Sequence, residues 1–236
     1  MYYAVRDFLE ISSKLTSIET QIKGERILNE LEDIMKERVE MILKNQRDYK
    51  TIPSTKVELI DNTLKYMLLK ASENEIIFDF VMTERVKHMI EDTIPKQPLN
   101  TLIADLVENA IVTVNCSTFK KILLTIGVVD GCYEITIHDS GMPFEENTLS
   151  NLGLKKITTH AGTGGSGTGY MSIFEILRTT SSSLIITEHA PSPYAFSKSV
   201  KIRFDGRFEH FIYSFRAEKL RNVIKRTDML ISGHDF

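Results

Sequence analysis

The sequence predicts an α+β protein: a two-layer α/β sandwich preceded by an antiparallel helical hairpin. Three observations carry this. Apolar residues recur at spacings of three and four from Phe8 to about Asn45, the period of a helix buried on one side. Beyond Val57, helical and alternating segments intermix in an order that suits one layer of helices on one sheet. Two β-rich runs are joined by Asp130-Gly131, a hairpin turn signal. The 236 residues are 42% hydrophobic and 26% charged, a globular balance, and suffice for one ordinary domain with a smaller appendage.

Taken in order, Phe8, Ile11, Leu15, Ile18 and Ile22 form one apolar seam, Gly24 interrupts it, and Ile27, Leu31, Ile34 or Met35, Val39 and Ile42 resume it. Residues 1–50 therefore read as two helices with a short connection. A lone hairpin leaves much of its seam uncovered. Pairing two hairpins into a four-helix bundle covers it, so a homodimer through this module is expected; folding back onto the chain's own domain is the alternative. Tyr49 to Thr55 reads as a linker, with Pro53 discouraging helix. Residues 55–216 form the second domain. They comprise a helix from Val57 to Ala71, a strand from Glu75 to Val81, and a helix from Leu99 to Val114 behind Pro95 and Pro98. Strands follow over Lys121 to Val129 and Cys132 to Asp139. The loop-rich stretch 140–169 holds seven of the twelve glycines. A helix over Tyr170 to Leu177 and strands over Leu184 to His189, Val200 to Phe204 and His210 to Phe215 complete it. Residues 217–236 read as a last helix, Ala217 to Lys225, and a polar tail.

Composition excludes some functions. The net charge is −3, from 29 basic against 32 acidic residues, and lacks the electrostatic footprint of a nucleic-acid binder. No run approaches the roughly 18 apolar residues of a membrane helix, and Met1-Tyr2-Tyr3 opens no signal peptide. No direct membrane insertion and a cytoplasmic location are expected; the cytoplasmic part of a membrane receptor reads the same way. Cys116 and Cys132 form no C-x-x-C pattern, sit in apolar stretches, and read as reduced core thiols.

Three separated segments carry chemistry. In Ala104-Asp105-Leu106-Val107-Glu108-Asn109-Ala110, Leu99, Leu102, Ile103, Leu106 and Ala110 make the core stripe, while Asp105 and Asn109, four apart, share another face. An Asn carbonyl is a hard neutral ligand suited to Mg²⁺ that also binds phosphate. An acidic residue one turn earlier can hold a metal-bound water or orient a nucleophilic one. For the helix alone, a solvated polar face is the plainer reading. In His138-Asp139-Ser140-Gly141-Met142-Pro143, a strand delivers Asp139 to its end and Gly141 permits a tight turn. A carboxylate there can accept from the exocyclic amine of adenine, a contact guanine cannot make; a common strand-end turn is the alternative. In Gly162-Thr163-Gly164-Gly165-Ser166-Gly167-Thr168-Gly169, bare backbone lets N–H groups approach phosphate at the start of a helix. A flexible linker would not normally enter an apolar helix such as YMSIFEIL. This is not a Walker P-loop, since no Gly-Lys-Ser/Thr follows.

In this order the segments resemble the N, G1 and G2 boxes of the superfamily of gyrase, heat-shock chaperone, histidine kinase and mismatch-repair ATPases. LGLKKITTHAGTGGSGTGYMSIFEIL and STKVELIDNTLKYMLLKASENEIIF are similar to segments of sensor histidine kinases of the peptide-quorum-sensing type. The resemblance covers about residues 55 to 215. It implies the Bergerat ATP-binding fold, with Asn109 on Mg²⁺, Asp139 and Gly141 at adenine, and Gly165, Ser166, Gly167, Thr168 and Gly169 around the triphosphate. It also implies a lid over Glu145 to Gly164 and a dimerising, phosphoacceptor role for the hairpin.

Three departures qualify it. Arg6 stands where the family carries its phosphoacceptor His, within Arg6-Asp7-Phe8-Leu9-Glu10, and an Arg stays protonated. Pro143 replaces a frequent Gly, fixing a dihedral and removing a donor. Asp105 stands where many kinases carry Asn and gyrase-type ATPases a Glu base. The six histidines show no metal-ligand spacing; His160, in the lid segment with Lys155 and Lys156, is the one nearest phosphate.

The leading functional expectation is thus a histidine-kinase-like ATP- and Mg²⁺-binding signalling protein. It transfers phosphoryl groups, with a response regulator or partner kinase, or serves as a regulatory pseudokinase. An ATP-hydrolysing conformational switch with Asp105 as base is the alternative, and a non-catalytic interaction module with a vestigial site is the third.

Overall fold

The computed structural model describes residues 52–155, 169–192 and 195–233. The expected hairpin over residues 1–50, its dimer seam and Arg6 lie outside them. From Ile52 onward the chain forms one compact unit.

Helix α1, Glu58–Glu73, leads into strand β1, Ile77–Met82. A short helix α2, Val86–Asp92, precedes α3, Lys96–Val114. Strands β2, Lys121–Val129, and β3, Cys132–Asp139, form the expected hairpin. Asp130 and Gly131 at its tip have φ of 50° and 76°, the paired positive values of a primed turn that follows strand twist. Helix α4, Glu146–Asn151, is followed by α5, Gly169–Thr180. Strands β4, Ser183–Glu188, β5, Lys198–Phe204, and β6, His210–Ser214, come next. Helix α6, Ala217–Val223, and strand β7, Leu230–Ser232, close the unit.

The strands make one mixed seven-stranded sheet, ordered β1-β2-β3-β5-β4-β6-β7. Pairings are antiparallel from β2 through β3 and β5 to β4, and parallel at β1–β2, β4–β6 and β6–β7. Because side chains alternate along a strand, the register sets rows on one face. One row is Phe80, Leu124, Ile137, Val200, Ile186, Ile212 and Ile231. The next holds Met82, Ile126, Ile135, Ile202, Leu184 and His210. The apolar members of these rows join a single core with residues from all six helices, among them Leu64, Met89, Leu106, Leu149, Phe174 and Leu220. One layer of helices on one face of the sheet is the expected two-layer sandwich.

Some expectations are corrected. Helix α3 begins at Lys96 instead of Leu99, because Pro95 occupies the N-cap and Pro98 the first turn, where a missing N–H removes no helical bond. The short helices α2 and α4 went unforeseen, and the polar tail supplies strand β7. Neither cysteine is a core thiol: Cys116 is exposed and Cys132 partly buried. Cys116 lies past the helix end at Val114. Cys132 begins β3 opposite Val129 beside the turn, out of step with the inward Ile135 and Ile137.

Ile137 sits mid-sheet and 1% exposed. Ile137→Ala is expected to lower unfolding free energy by about 2–5 kcal/mol, as a cavity in an unyielding core does. Urea denaturation reads the change; a loss under about 1 kcal/mol would mean that the core is not packed as described.

Candidate functional site

Apart from His210, the two inward rows described above are apolar; the last inward row is not. There the register aligns Phe78, Ile122, Asp139, Lys198, Glu188 and Ser214 across β1, β2, β3, β5, β4 and β6. The last four are polar and buried, with Lys198 and Asp139 each 2% exposed. Each is the terminal inward position of its strand at this end of the sheet. The polar row is therefore the border between the core and whatever lies beyond the strand ends.

Burying an ion costs several kcal/mol unless its partners are complete. Those of Lys198 are. Its ammonium donates to Asp139 Oδ1 at 2.8 Å, to the Met142 carbonyl at 2.6 Å and to Thr113 Oγ1 at 3.2 Å. Three acceptors match the three donors of an ammonium, and its Nζ lies 5.4 Å from the centroid of Phe144. Asp139 Oδ1 also accepts from the Gly141 N–H at 2.8 Å and from Thr113 Oγ1 at 3.5 Å. Burial pushes the Asp139 carboxyl above the usual carboxylate range, while Lys198, the Gly141 N–H and Thr113 pull it back. All these contacts fall on Oδ1, which assigns Oδ2 no partner among the described residues.

Glu188 is likewise satisfied. Oε1 accepts from the Phe144 N–H at 2.9 Å and Arg216 Nη2 at 2.7 Å; Oε2 accepts from Ser214 Oγ at 2.7 Å and Arg216 Nε at 2.9 Å. Arg216 Nη2 also donates to the Phe144 carbonyl, and Ser197 Oγ donates to that of Gly141. The loop Gly141–Phe144 is thus pinned from β4, β5 and the start of α6. Pro143, which lacks an N–H, costs this loop nothing, since its bonds run through residues 141, 142 and 144.

On α3, Asp105, Asn109 and Thr113 recur at intervals of four, and none is exposed. The stripe is not a solvated face. Thr113 meets the end of β3 so closely that a Cβ on Gly141 would stand 2.6 Å from Thr113 Oγ1 and 2.8 Å from Asp139 Oδ1. One turn earlier, a Cβ on Gly169 would stand 3.3 Å from Asn109 Nδ2 and 3.5 Å from its Oδ1. Asn109 Nδ2 is buried without a hydrogen-bond partner among the described residues. Glu108 is turned away, paired with Lys70 of α1.

A ring of contacts results. Gly169 adjoins Asn109; Thr113, one helical turn on, reaches Asp139; Asp139 pairs with Lys198; Lys198 lies near Phe144. Phe144 meets the edge of Tyr170 at 5.9 Å, which follows Gly169. Burial and the nearby Asp139 push the Tyr170 hydroxyl's pKa up. Five expected positions, Asp105, Asn109, Asp139, Gly141 and Gly169, are described, and the last four fall on or within this ring. Gly162, Gly164, Gly165, Ser166, Gly167 and Thr168 lie outside the described residues, as do His160 and Lys156; Lys155 is exposed. Lys198, Thr113, Glu188 and Arg216 were missed. A signal existed: alternation back from Phe204 through Ile202 and Val200 puts Lys198 on the core side. No group of three or more His, Cys, Asp or Glu among the described residues suits a metal.

Among solved structures, the chain is similar to the nucleotide-free catalytic domain of the histidine kinase ThkA. It is 18% identical, covers 64% of this chain and 91% of that one, and has a TM-score of 0.48. The mycobacterial sensor histidine kinase MprB is 17% identical over 64% of this chain and 93% of that one, with a TM-score of 0.45. Full-length ShkA in complex with AMPPNP is 13% identical over 92% of this chain and 47% of that one, with a TM-score of 0.46. No protein-family model matches the chain, and no curated protein matches it.

Removing one member of a satisfied buried pair strands the other. Arg216→Met is expected to destabilise the unit by about 3–5 kcal/mol in chemical denaturation. The double change Arg216→Met/Glu188→Met should cost less than the single one. A double variant weaker than the single would sink this account of the pair.

Proposed function

We propose that the chain binds ATP with Mg²⁺ between α3, the end of β3 and the start of α5, as a histidine-kinase-like signalling protein. The observation that carries this is the closed ring joining Asn109, Asp139 and Gly169, each from a different one of the three sequence segments. Base, metal and phosphate functions then meet at one place.

The base end follows from Asp139. A buried carboxylate with Oδ1 saturated presents Oδ2 as an acceptor, the complement of an exocyclic amine. Gly141 keeps the loop flush against α3, so no side chain intrudes there. The phosphate end follows from Gly169, which opens α5; the helix start favours anions, and the sequence run Gly165-Ser166-Gly167-Thr168, outside the described residues, is proposed to bind phosphate with it.

The residues fit Mg²⁺. The Asn109 amide nitrogen is buried without a hydrogen-bond partner among the described residues, beside a bare glycine, and a rotated amide offers an oxygen. Mg²⁺ takes few protein oxygens and completes its shell with phosphate oxygens and water; here the neutral Asn109 oxygen would be such a protein ligand. When bound, Mg²⁺ supplies charge neutralisation at the phosphates. Asn109 would hold it, and Asp105, buried one turn earlier, would hold or orient a water. Catalysis on this reading rests on positioning and electrostatics.

The chain acts either as a phosphotransferase or as a regulatory pseudokinase, since Arg6 offers no acceptor. A homodimer through residues 1–50, a response regulator or partner kinase and a cytoplasmic location complete the proposal. No helix among the described residues is long and apolar enough to cross a membrane.

Calorimetric titration of ATP tests it. Asp139→Ala is expected to weaken binding by about 1.5–3 kcal/mol, the worth of a hydrogen bond to a charged group. Asn109→Ala should abolish the strengthening by Mg²⁺ and spare most Mg²⁺-free binding. No binding by the wild-type chain at millimolar ATP would refute the proposal. With labelled ATP, retained binding without self-labelling assigns the pseudokinase branch.

A further inference from the structure

Lys198 is buried and wholly partnered, and one of its partners is Asp139, the carboxylate assigned above to the base. An ionised carboxylate only accepts hydrogen bonds; a protonated one also donates. Adenine carries an amine, a donor, where hypoxanthine and guanine carry a carbonyl, an acceptor. The protonation state of Asp139 therefore decides which base it complements. We infer that Lys198 is the specificity-determining positioning residue of the site: its ammonium, seated on Asp139 Oδ1, the Met142 carbonyl and Thr113 Oγ1, keeps Asp139 an acceptor and so selects a 6-amino over a 6-oxo purine nucleotide. This rests on the nucleotide-binding reading above and adds to it the origin of base choice.

The surroundings leave the task to Lys198. From β5 the only charged group on Asp139 is Lys198 itself. From β4 the next charge in the row is Glu188, already paired with Arg216 at 2.7 Å. From α5 comes Tyr170, whose hydroxyl carries no charge near neutral pH. From α3 comes Thr113, uncharged. Burial drives the carboxyl toward its neutral form, and the ammonium is the one cation opposing this among the described residues around it. Without it, Asp139 would take up a proton nearer neutrality and present O–H to the base.

The geometry also explains why a smaller donor would not serve. The ammonium spans three anchors: the end of β3, the carbonyl of the following loop and a side chain of α3. It fixes where Asp139 points as well as its charge.

The test is binding of ATP and of inosine triphosphate to the full chain by calorimetry between about pH 6 and pH 8.5, a range above ordinary carboxylate titration. Wild type, Lys198→Met and Lys198→Gln are compared, with folding checked by circular dichroism. Gln offers two N–H donors in place of the three of the ammonium and removes the charge, so it remains informative if the Met variant does not fold. Wild type should bind ATP with nearly constant affinity and prefer it about tenfold or more over inosine triphosphate, one hydrogen bond's discrimination. In both variants ATP affinity should fall about tenfold toward the acid end while inosine triphosphate affinity rises. A wild-type ATP affinity that itself drops in acid, or a folded variant with the wild-type flat profile and preference, overturns the inference and leaves nucleotide binding standing. Failure of wild type to bind either nucleotide removes both.

Discussion

One ammonium with three protons and three acceptors, sealed at the end of a β-sheet, is the constraint on which the candidate site depends. Ionic groups this deep persist only when their hydrogen bonds are complete, and the completeness ties three parts of the chain together. Asp139 terminates β3, Met142 lies in the loop beyond, and Thr113 belongs to α3. Moving any of them strands Lys198. The pair is therefore less a source of stability than a device fixing positions: apolar residues there would pack as well but leave the strand end and loop free to choose their arrangement.

Glu188 repeats the solution one strand over. Its two oxygens take four donors, two from Arg216, one from Ser214 and one from the Phe144 backbone. The loop from Gly141 to Phe144 is thus held at its middle by Lys198 and at its end by Glu188 and Arg216. Phe144 packs between Lys198 and Tyr170. A loop so fixed has little conformational entropy left to lose when a ligand arrives, which is how preorganisation raises affinity.

Much of this was legible in the sequence, and what was not has physical causes. The hairpin at Asp130-Gly131, the long helix carrying Asp105 and Asn109, and the delivery of Asp139 to a strand end follow from periodicity and turn chemistry. These depend on neighbours in sequence. The ring depends on register. That Lys198 faces Asp139, and Glu188 faces Lys198, requires knowing that β5 lies between β3 and β4, an order no local pattern states. Strand alternation did carry half the information: Lys198 is in phase with Val200 and Ile202, Glu188 with Leu184 and Ile186, and Ser214 with Ile212. Starting the strand of Lys198 at Val200 cut that lysine off, while the strands over Leu184 to His189 and His210 to Phe215 included Glu188 and Ser214 without marking them as inward-facing. The short helix Glu146–Asn151 escaped because six residues carry less than two turns of period.

The charges of the two networks alternate: Asp139 negative, Lys198 positive, Glu188 negative, Arg216 positive. Their sum is zero, so this end of the site has a strongly directional but nearly neutral field. That field suits the base of the proposed nucleotide, which is uncharged and recognised by donors and acceptors. A triphosphate gains nothing there, because each cation is already committed to a carboxylate. The unspent positive potential lies at the start of α5, with Gly169 against Asn109. The orientation of the proposed nucleotide follows from this asymmetry: the base toward the sheet, the phosphates toward the helix start, with the closed bonds of the row excluding the reverse.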